Sequence, residues 1–299
     1  MEQVSVCKFG MSFSLKQCRD FEINPKDTLN FLIEDLGFRR FRLMSYWNEH
    51  EKSPGSYSFN ELDWQIEMIE KAGGEVSLCL GARQPRWPES HYPQWALNLR
   101  RDEMIPALLK FNKEVIKRYS ARKSVISWQL ENEALNRGFG LNGNFDRQRL
   151  NLEMDQLRSL SVKPVIMSTS NTWGIPIRKP RPDIFGFTLY RIQYSKNGYK
   201  RSKLPIIWYK ARAFLIKLIT RKNCFIHELQ MEPWGPKGTQ NLSRSEQEKS
   251  MSHKQLKFNL EFARKTNLFP IDLWGGEWLF WRKVKFSDQE TWKLVKELL

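Results

Sequence analysis

Short apolar runs alternate along the chain with stretches whose apolar residues recur at helical spacing. This alternation predicts βα units and a parallel sheet. A parallel strand is buried on both faces, so its sequence is nearly continuously apolar. Eight runs meet that description and are predicted as strands: Ser5–Phe13, Phe38–Met44, Glu75–Leu80, Val125–Leu130, Pro164–Thr169, Ile184–Leu189, Cys224–Glu228 and Ile271–Trp274.

Capping signals mark the starts of several of the helices between these runs. Asn24 supplies a capping side chain immediately before Pro25, which suits the first helical position. Two serine–glutamate pairs have the spacing of a capping box, Ser243 with Glu246 and Ser287 with Glu290. Apolar residues also recur at helical spacing over Met104–Tyr119 and Phe145–Leu160.

The fifth and sixth units depart from this rhythm. Four prolines or glycines stand close together between Thr169 and Ile184, which predicts an irregular loop in place of a fifth helix. The next unit is correspondingly long and runs from Tyr190 to Asn223. Eight βα units in 299 residues predict a single α/β domain over residues 1–299, a (β/α)8 TIM barrel. A doubly wound open sheet is the alternative, but no glycine-rich phosphate loop follows the first strand.

Composition narrows the class of protein. No window approaches 18 uncharged apolar residues, which excludes a transmembrane helix, and residues 1–13 lack the apolar run of a signal peptide. Four scattered cysteines without a CxxC pair argue against a disulfide scaffold or a zinc ribbon. Together these features favour a reducing, cytoplasmic location.

The formal net charge of +16 suggests nucleic acid, an anionic membrane or an acidic polymer as a partner. No helix-turn-helix, zinc-finger, RRM or OB-fold pattern is present, so no nucleic-acid partner is expected. Residues 184–227 contain ten Lys or Arg and no Asp or Glu, and Ile206–Thr220 is predicted as an amphipathic helix. The basic segment 196–222 could contact an anionic membrane peripherally. The interpretation that we favour is an outer barrel helix, with its apolar side on the sheet and its lysines in water.

The active site of a (β/α)8 barrel lies at the carboxyl ends of its strands. Those ends are rich in carboxylates and tryptophans in this sequence: Arg42 and Trp47, Trp87, Glu131 to Glu133, Asn171 and Trp173, Tyr190, Glu228 to Trp234, and Trp274 to Trp278. Cleavage of a glycosidic bond needs two carboxylates, one to protonate the leaving oxygen and one to attack the anomeric carbon or activate water. Aromatic side chains stack on the apolar faces of sugar rings.

Two motifs resemble those of clan A glycoside hydrolases, close to the cellulase-like and β-galactosidase-like branches. WQLENE (Trp128–Glu133) resembles the acid/base strand of the clan, and FIHELQMEPWG (Phe225–Gly235) resembles its nucleophile strand. The resemblance extends over nearly the whole chain through FRRFRLMSYW, LGARQPRWPE and DLWGGEWLFW. It implies a retaining glycosidase that acts on β-linked glycosides with water as the final acceptor. No metal or organic cofactor is implied.

The resemblance assigns roles to individual residues. Glu133 matches the general acid/base, Glu228 the nucleophile, Asn132 the ligand of the sugar 2-hydroxyl, Arg42 the arginine that keeps the nucleophile ionised, Tyr190 its phenol donor, and Trp274 the floor for sugar stacking. Trp47, Trp87, Trp173, Trp234 and Trp278 are further stacking candidates. Asn171 is expected to contact the substrate, and Glu277 either contacts it or fixes a loop.

Several alternatives remain at this stage. Glu131 and Glu232 compete with Glu133 and Glu228 and are interpreted as structural or loop-fixing carboxylates. Retention of configuration requires Glu133 and Glu228 to lie about 5–5.5 Å apart, and inversion about 6.5–9.5 Å; we expect the shorter separation. A transglycosylase would use the same residues, and a non-catalytic barrel that binds carbohydrate or another surface is the alternative from a different class. The sugar, and endo or exo action, stay open.

Overall fold

The computed structural model describes residues 8–136, 140, 146–170 and 178–299. Among these residues, the strands are β1 (Phe9–Ser12), β2 (Arg40–Met44), β3 (Glu75–Leu80), β4 (Val125–Leu130), β5 (Val165–Thr169), β6 (Ile184–Leu189), β7 (Ile192–Ser195), β8 (Gly198–Arg201), β9 (Asn223–Gln230) and β10 (Ile271–Trp274). Their α-helices are α1 (Leu15–Asp20), α2 (Pro25–Asn30), α3 (Trp47–His50), α4 (Asn60–Lys71), α5 (Arg101–Tyr119), α6 (Arg147–Leu160), α7 (Ile206–Thr220), α8 (Arg244–Met251), α9 (His253–Thr266), α10 (Gly276–Lys285) and α11 (Gln289–Leu298).

Eight of the strands close into a parallel barrel in the order β1-β10-β9-β6-β5-β4-β3-β2. The strands are buried almost throughout, as parallel strands covered by helices should be. The predicted (β/α)8 TIM barrel is therefore confirmed. In the fifth unit, the described residues 178–183 are irregular, as predicted, whereas 171–177 lie outside the described residues.

The predicted element bounds agree closely with the structure. Four strands, β3, β4, β6 and β10, and the basic helix α7 have the predicted residues. The strand predicted over Cys224–Glu228 begins one residue earlier and continues to Gln230. Asn24 caps α2 through hydrogen bonds from the backbone N–H groups of Lys26 and Asp27.

One predicted helix start is wrong. Asp288, and not Ser287, caps α11, because its carboxylate accepts the backbone N–H groups of Glu290 and Thr291. Ser287 itself has a φ of 52° and precedes the cap. The Ser243 prediction is confirmed, since its hydroxyl accepts the backbone N–H of Glu246.

Strands β7 and β8 form an antiparallel hairpin that the sequence analysis did not predict. Tyr194 pairs with Tyr199 across it, with the rings edge to face and their centroids 5.2 Å apart. Lys196 and Asn197 separate the two strands, and Gly198 has a φ of 89°. The Asn-Gly dipeptide is the sequence signal that could have identified this turn.

The chain divides into two compact units. The first comprises residues up to Phe41 together with Gly186–Leu299, and the second comprises Arg42–Phe185. The prediction that residues 1–299 form one domain stays a prediction.

Candidate functional site

In the second unit, the chain leaves β4 through an unusual backbone conformation. Glu131 and Glu133 have φ values of 48° and 42°, in the left-handed region that residues other than glycine seldom adopt. Gly81, at the end of β3, leaves room for this turn: a Cβ there would lie 2.5 Å from Cγ of Glu131, and its φ is 97°. Strained backbone of this kind concentrates at functional sites.

Glu131 is fully buried and is paired with Arg149 of α6. The two guanidinium nitrogens of Arg149 donate to the two carboxylate oxygens of Glu131, at 2.5 and 2.8 Å. The backbone N–H of Arg83 donates to the same carboxylate at 3.3 Å. This bidentate pairing fits the interpretation of Glu131 as a structural carboxylate.

A second carboxylate, that of Glu153, shares the guanidinium of Arg149 at 3.1 Å. Asn112 also donates to Glu153, at 3.1 Å. Burial raises the pKa of Glu153 to about 8, and the charge of Glu131 adds to that rise, while Arg149 and Asn112 oppose it. The buried ion cluster of Glu131, Arg149 and Glu153 therefore has two carboxylates for one cation, and a proton on Glu153 balances its charge near neutral pH.

A hydrogen-bond network orients Asn132. Its side-chain oxygen accepts from Arg42 at 2.9 Å and from the hydroxyl of Ser168 at 3.1 Å. Its side-chain nitrogen donates to Glu89 at 2.8 Å. Arg42 also donates to Gln129, at 2.6 Å. The predicted residues Arg42 and Asn132 are thus in direct contact, while Gln129 and Ser168 are members of the network that the sequence analysis missed.

Glu133 is almost completely buried at the end of β4. Its backbone N–H donates to the hydroxyl of Ser168 at 2.8 Å. Its carboxylate accepts a hydrogen bond of 2.9 Å from the side chain of Asn136. Ser168 of β5 therefore holds both Asn132 and Glu133. Its position three residues before the predicted Asn171, at the end of its strand, is the signal that could have identified it.

In the first unit, Glu228 lies at an irregularity of β9. Ile226 pairs with Ile271 of β10, and Leu229 pairs with Leu273. Two residues of β9, His227 and Glu228, therefore lie opposite a single residue of β10. Such β-bulges redirect side chains and are common beside active sites.

Tyr190 and Trp234 lie beside Glu228. The Tyr190 hydroxyl donates to the Glu228 carboxylate at 3.0 Å. The rings of Tyr190 and Trp234 meet edge to face, with their centroids 5.4 Å apart. Tyr190 and Glu228 are buried, whereas Trp234 is only half-buried. The structure thus brings three of the predicted site residues together in this unit.

A buried ion network lies next to Glu228 in the barrel interior. Nδ1 of His227 is 2.8 Å from Asp272, which also accepts from Arg40 at 3.0 Å. Burial raises the pKa of Asp272, but Arg40 and His227 outweigh it, and the net shift is downward. Gly10 and Gly186 leave space for this network, since a Cβ at Gly10 would lie 2.2 Å from Asp272 and one at Gly186 would lie 2.6 Å from His227.

The predicted stacking residues differ in exposure. Trp87 is 58% exposed, and Trp274 at the end of β10 is buried except for 7% of its surface. Trp47 is fully buried: its indole N–H donates to Glu51 at 2.6 Å, and its ring packs on Trp95 and Phe111. That environment favours a packing role for Trp47 over the predicted sugar contact.

Two predicted residues of α10 are also buried. The indole N–H of Trp278 donates to Gln247 at 2.8 Å, and the guanidinium of Arg282 lies over its ring at 5.5 Å. Glu277 is fully buried and accepts the backbone N–H of Ser14 at 2.5 Å. Both contacts favour structural roles, and for Glu277 they favour the loop-fixing interpretation.

Asn171 and Trp173 lie outside the described residues. In the described part of the chain, no group of three or more His, Cys, Asp or Glu side chains has the arrangement of a metal site. Glu232, the predicted competitor of Glu228, is buried just beyond the end of β9. It lies so close to Gly275 that a Cβ added to that glycine would be 2.7 Å from the Cβ of Glu232.

No family model matches the chain, and no curated protein matches its sequence. Solved structures share its fold at low identity. The GH5_18 protein of Streptomyces cattleya, in complex with GlcNAc, is 10% identical with a TM-score of 0.63, over 90% of this chain and 70% of that one. Cel5A of Thermotoga maritima, a mutant form in complex with cellobiose, is 14% identical with a TM-score of 0.60, over 90% and 88%.

A third solved structure is the exo-β-1,4-mannosidase Op5Man5 of Opitutaceae bacterium strain TAV5. It is 12% identical with a TM-score of 0.62, and 90% of this chain matches 51% of that protein. The barrel of this chain is thus the fold of clan A glycoside hydrolases, as the sequence motifs indicated. At 10–14% sequence identity, these comparisons establish a likeness of fold alone.

Proposed function

We propose that the chain is a retaining glycoside hydrolase that cleaves β-linked glycosides, with Glu133 as the acid/base and Glu228 as the nucleophile. The observation that carries the proposal is a hydrogen bond. The Tyr190 hydroxyl donates to the carboxylate of Glu228, which lies at a β-bulge. A hydrogen bond from a phenol holds one carboxylate oxygen in place, which orients the group for attack on the anomeric carbon. The solved structures with the same fold and a bound sugar support a carbohydrate substrate.

The proposed reaction has two steps. In the first, the Glu228 carboxylate attacks the anomeric carbon while the Glu133 carboxylic acid protonates the leaving oxygen, which gives a glycosyl ester and the released alcohol. In the second, Glu133, now ionised, takes a proton from water as the water attacks the same carbon. The sugar leaves with retained configuration, and both carboxyl groups return to their initial state. A separation of about 5–5.5 Å between them is part of this proposal.

The second unit would hold the substrate through Asn132. Its amide is fixed by Arg42, Ser168 and Glu89, so that little rotational freedom is lost when a sugar 2-hydroxyl binds. Among the predicted tryptophans that the structure describes, Trp234 and Trp87 have the most accessible surface and are proposed to stack on sugar rings. The sugar is proposed to be a β-linked pyranose of the gluco, manno, galacto, xylo or N-acetylglucosamine type.

A panel of aryl β-glycosides of these five sugars tests the proposal. Wild-type protein should release the aryl group from at least one of them, and proton NMR should show the β-anomer of the sugar as the first product. Glu228→Gln should lose activity by at least about 1,000-fold. Glu232→Gln, in the same segment, is the matched control and should retain most of the activity.

Azide separates the two proposed roles. In Glu133→Ala, azide can attack the glycosyl ester without acid/base help and should restore turnover as a β-glycosyl azide. In Glu228→Ala, azide would instead replace the missing nucleophile and give the α-glycosyl azide. Inverted product from wild type, or activity unchanged by Glu228→Gln, would contradict the mechanism. Inactivity on both the aryl panel and β-linked oligosaccharides would favour a non-catalytic barrel, and sugar-to-sugar transfer products would favour a transglycosylase.

A further inference from the structure

Helix α7 is the outer helix of the long sixth unit, and one side of it packs on the protein. Tyr209, Arg212, Ala213 and Ile216 are buried. The ring of Tyr209 meets Phe262 of α9 edge to face at 6.0 Å, and the guanidinium of Arg212 lies 4.6 Å from the centroid of a phenylalanine ring of β6. These contacts fix which side of the helix faces the first unit.

The opposite side of α7 is apolar as well, and it is exposed. Ile207, Phe214 and Leu218 are 66%, 64% and 67% exposed, and their spacing of seven and four residues places them on one stripe. Ile219 and Leu215, at 53% and 42%, widen the stripe. A helix that is apolar on both sides is typical of an element with something covering each side.

One side of α7 packs on the protein and its lysines are exposed, as expected, but the exposed apolar stripe was not expected. Lys210 and Lys217 are exposed, as expected, but on a helical wheel they lie on one border between the buried side and the exposed apolar stripe. Lys203, three residues before the start of α7, is exposed as well.

The surroundings of the stripe are cationic. Residues 184–227 contain no Asp or Glu. Two of their ten cations, Arg191 and Arg212, are buried in contacts with the protein, whereas the following are exposed: Lys196, Lys200, Arg201, Lys203, Lys210, Lys217 and Arg221. On the neighbouring helix α9, Phe258 is 40% exposed, and Lys254 and Lys257 are exposed beside it, with one exposed acid, Glu261.

We propose that this surface, the exposed apolar stripe of α7 with its border of lysines, docks flat on an anionic lipid bilayer. The apolar side chains would enter the boundary between headgroups and acyl chains, and the lysines would extend to the lipid phosphates. Charge complementarity selects this occupant: a second copy of the chain on the same surface would oppose like charges across the interface. In the described part of the chain, no helix has the length and apolar character to cross a bilayer, so the contact is peripheral.

Vesicle sedimentation tests the proposal without reference to enzymatic activity. Wild-type protein should sediment with vesicles of phosphatidylcholine and phosphatidylglycerol, less with pure phosphatidylcholine, and less with the anionic vesicles as salt increases. Phe214→Ser with Leu218→Ser should weaken binding to the anionic vesicles by about 100-fold, because two large apolar side chains are lost from the membrane contact. Lys210→Gln with Lys217→Gln should weaken it by about 20-fold.

Matched controls lie on other helices. Leu152→Ser removes a leucine of α6 that is 41% exposed, and Lys113→Gln with Lys117→Gln removes two exposed lysines from α5. Neither should change binding, and all variants should keep the wild-type circular dichroism and unfolding midpoint.

Three results would overturn the proposal. The first is no sedimentation of wild type with anionic vesicles at low salt. The second is equal loss of binding in the control and α7 variants, which would show a general charge effect. The third is a wild-type dimer that the Phe214 and Leu218 changes convert to monomer without any vesicle binding, which would show that a second copy covers the stripe.

Discussion

At the end of β4 the backbone turns through two positive φ angles above a buried ion cluster, whereas at the end of β9 it stays extended and takes up one extra residue in a bulge. Glu133 therefore depends on its neighbour Glu131, and through it on the charges of Arg149 and Glu153. Glu228 lies at a shift of strand register and accepts a hydrogen bond from the phenol of Tyr190. Two carboxylates with similar burial are thus held in place by different physical means.

The difference predicts different sensitivities. A network with two buried carboxylates and one guanidinium responds strongly to the loss of a charge and to pH, because uncompensated charge in the interior is costly. At the bulge of β9, Arg40 balances the charge of Asp272, the buried carboxylate that contacts His227, so this region should respond less to either change. Loss of a charge from the ion cluster behind β4 should therefore act mainly on stability, and loss of the phenol beside β9 should act mainly on catalysis.

The largest expected effect is that of Arg149→Met. The substitution removes the cation that Glu131 and Glu153 share, and breaking a buried pair in this way costs about 3–5 kcal/mol. Urea denaturation should show that loss in the free energy of unfolding. Arg147→Met on the same helix removes a hydrogen bond to the carbonyl oxygen of Lys179 at the surface and should cost less than about 1 kcal/mol. Equal costs for the two variants would contradict a special role for the ion cluster.

The next effect is catalytic. Tyr190→Phe keeps the ring that meets Trp234 but removes the hydroxyl that donates to Glu228. A hydrogen bond to a charged group contributes about 1.5–3 kcal/mol, so kcat/KM should fall by about 10- to 100-fold while the free energy of unfolding changes little. Tyr194→Phe, in the hairpin, is the control. A large loss of stability in Tyr190→Phe without a loss of kcat would assign Tyr190 a purely structural role.

The sequence predicted the fold well because the barrel strands are apolar runs of fixed length between helices. Glu75–Leu80, Val125–Leu130 and Ile271–Trp274 have the predicted bounds, since burial on both faces leaves an unambiguous pattern. The hairpin of β7 and β8 is polar and short, and that pattern did not reveal it.

The candidate site was less predictable, for reasons that are also physical. The sign of φ at Glu133 and the bulge at Glu228 depend on neighbouring strands and leave no periodic signal. Arg149 reaches Glu131 from a helix 18 residues later, a pairing that only the fold creates. Trp47 and Trp278 follow strands as a rim tryptophan would, yet their indole groups point into the core. The resemblance to a family predicted the two carboxylates as the catalytic pair, and the contacts around them came from the structure.

The third effect is a pH dependence of stability. The pKa of Glu153 is raised in the folded protein to about 8 and is 4.5 for an ordinary glutamate, so the folded state binds an extra proton between these values. Its contribution to stability is therefore complete below about pH 4.5 and is lost as the pH rises toward 8. In Glu153→Gln, which cannot ionise at this position, the free energy of unfolding should fall over this pH range by at least about 1 kcal/mol less than in wild type.

The free energy of unfolding should be measured for wild type and for Glu153→Gln at several pH values between 5 and 8. The difference between the two proteins is then followed as a function of pH. Asp155→Asn, an exposed carboxylate on the same helix, is the control and should follow the wild-type curve. A difference that does not change with pH would show that Glu153 is ionised throughout, and the ion cluster would then carry a net negative charge.

The smallest expected effect concerns the hydrogen bond between Asn136 and the Glu133 carboxylate. Asn136→Ala removes the donor to the Glu133 carboxylate, and loss of one such hydrogen bond should lower kcat/KM by about 3- to 10-fold. In the Glu133→Ala background the same change should add almost nothing, because the side-chain oxygens that accept from Asn136 are gone. Additive effects in this double-mutant cycle would mean that Asn136 acts on the loop or on substrate directly. Compared with Tyr190→Phe, the smaller loss would show that the β4 end holds its carboxylate mainly through its backbone, whereas the β9 end relies on a side-chain donor.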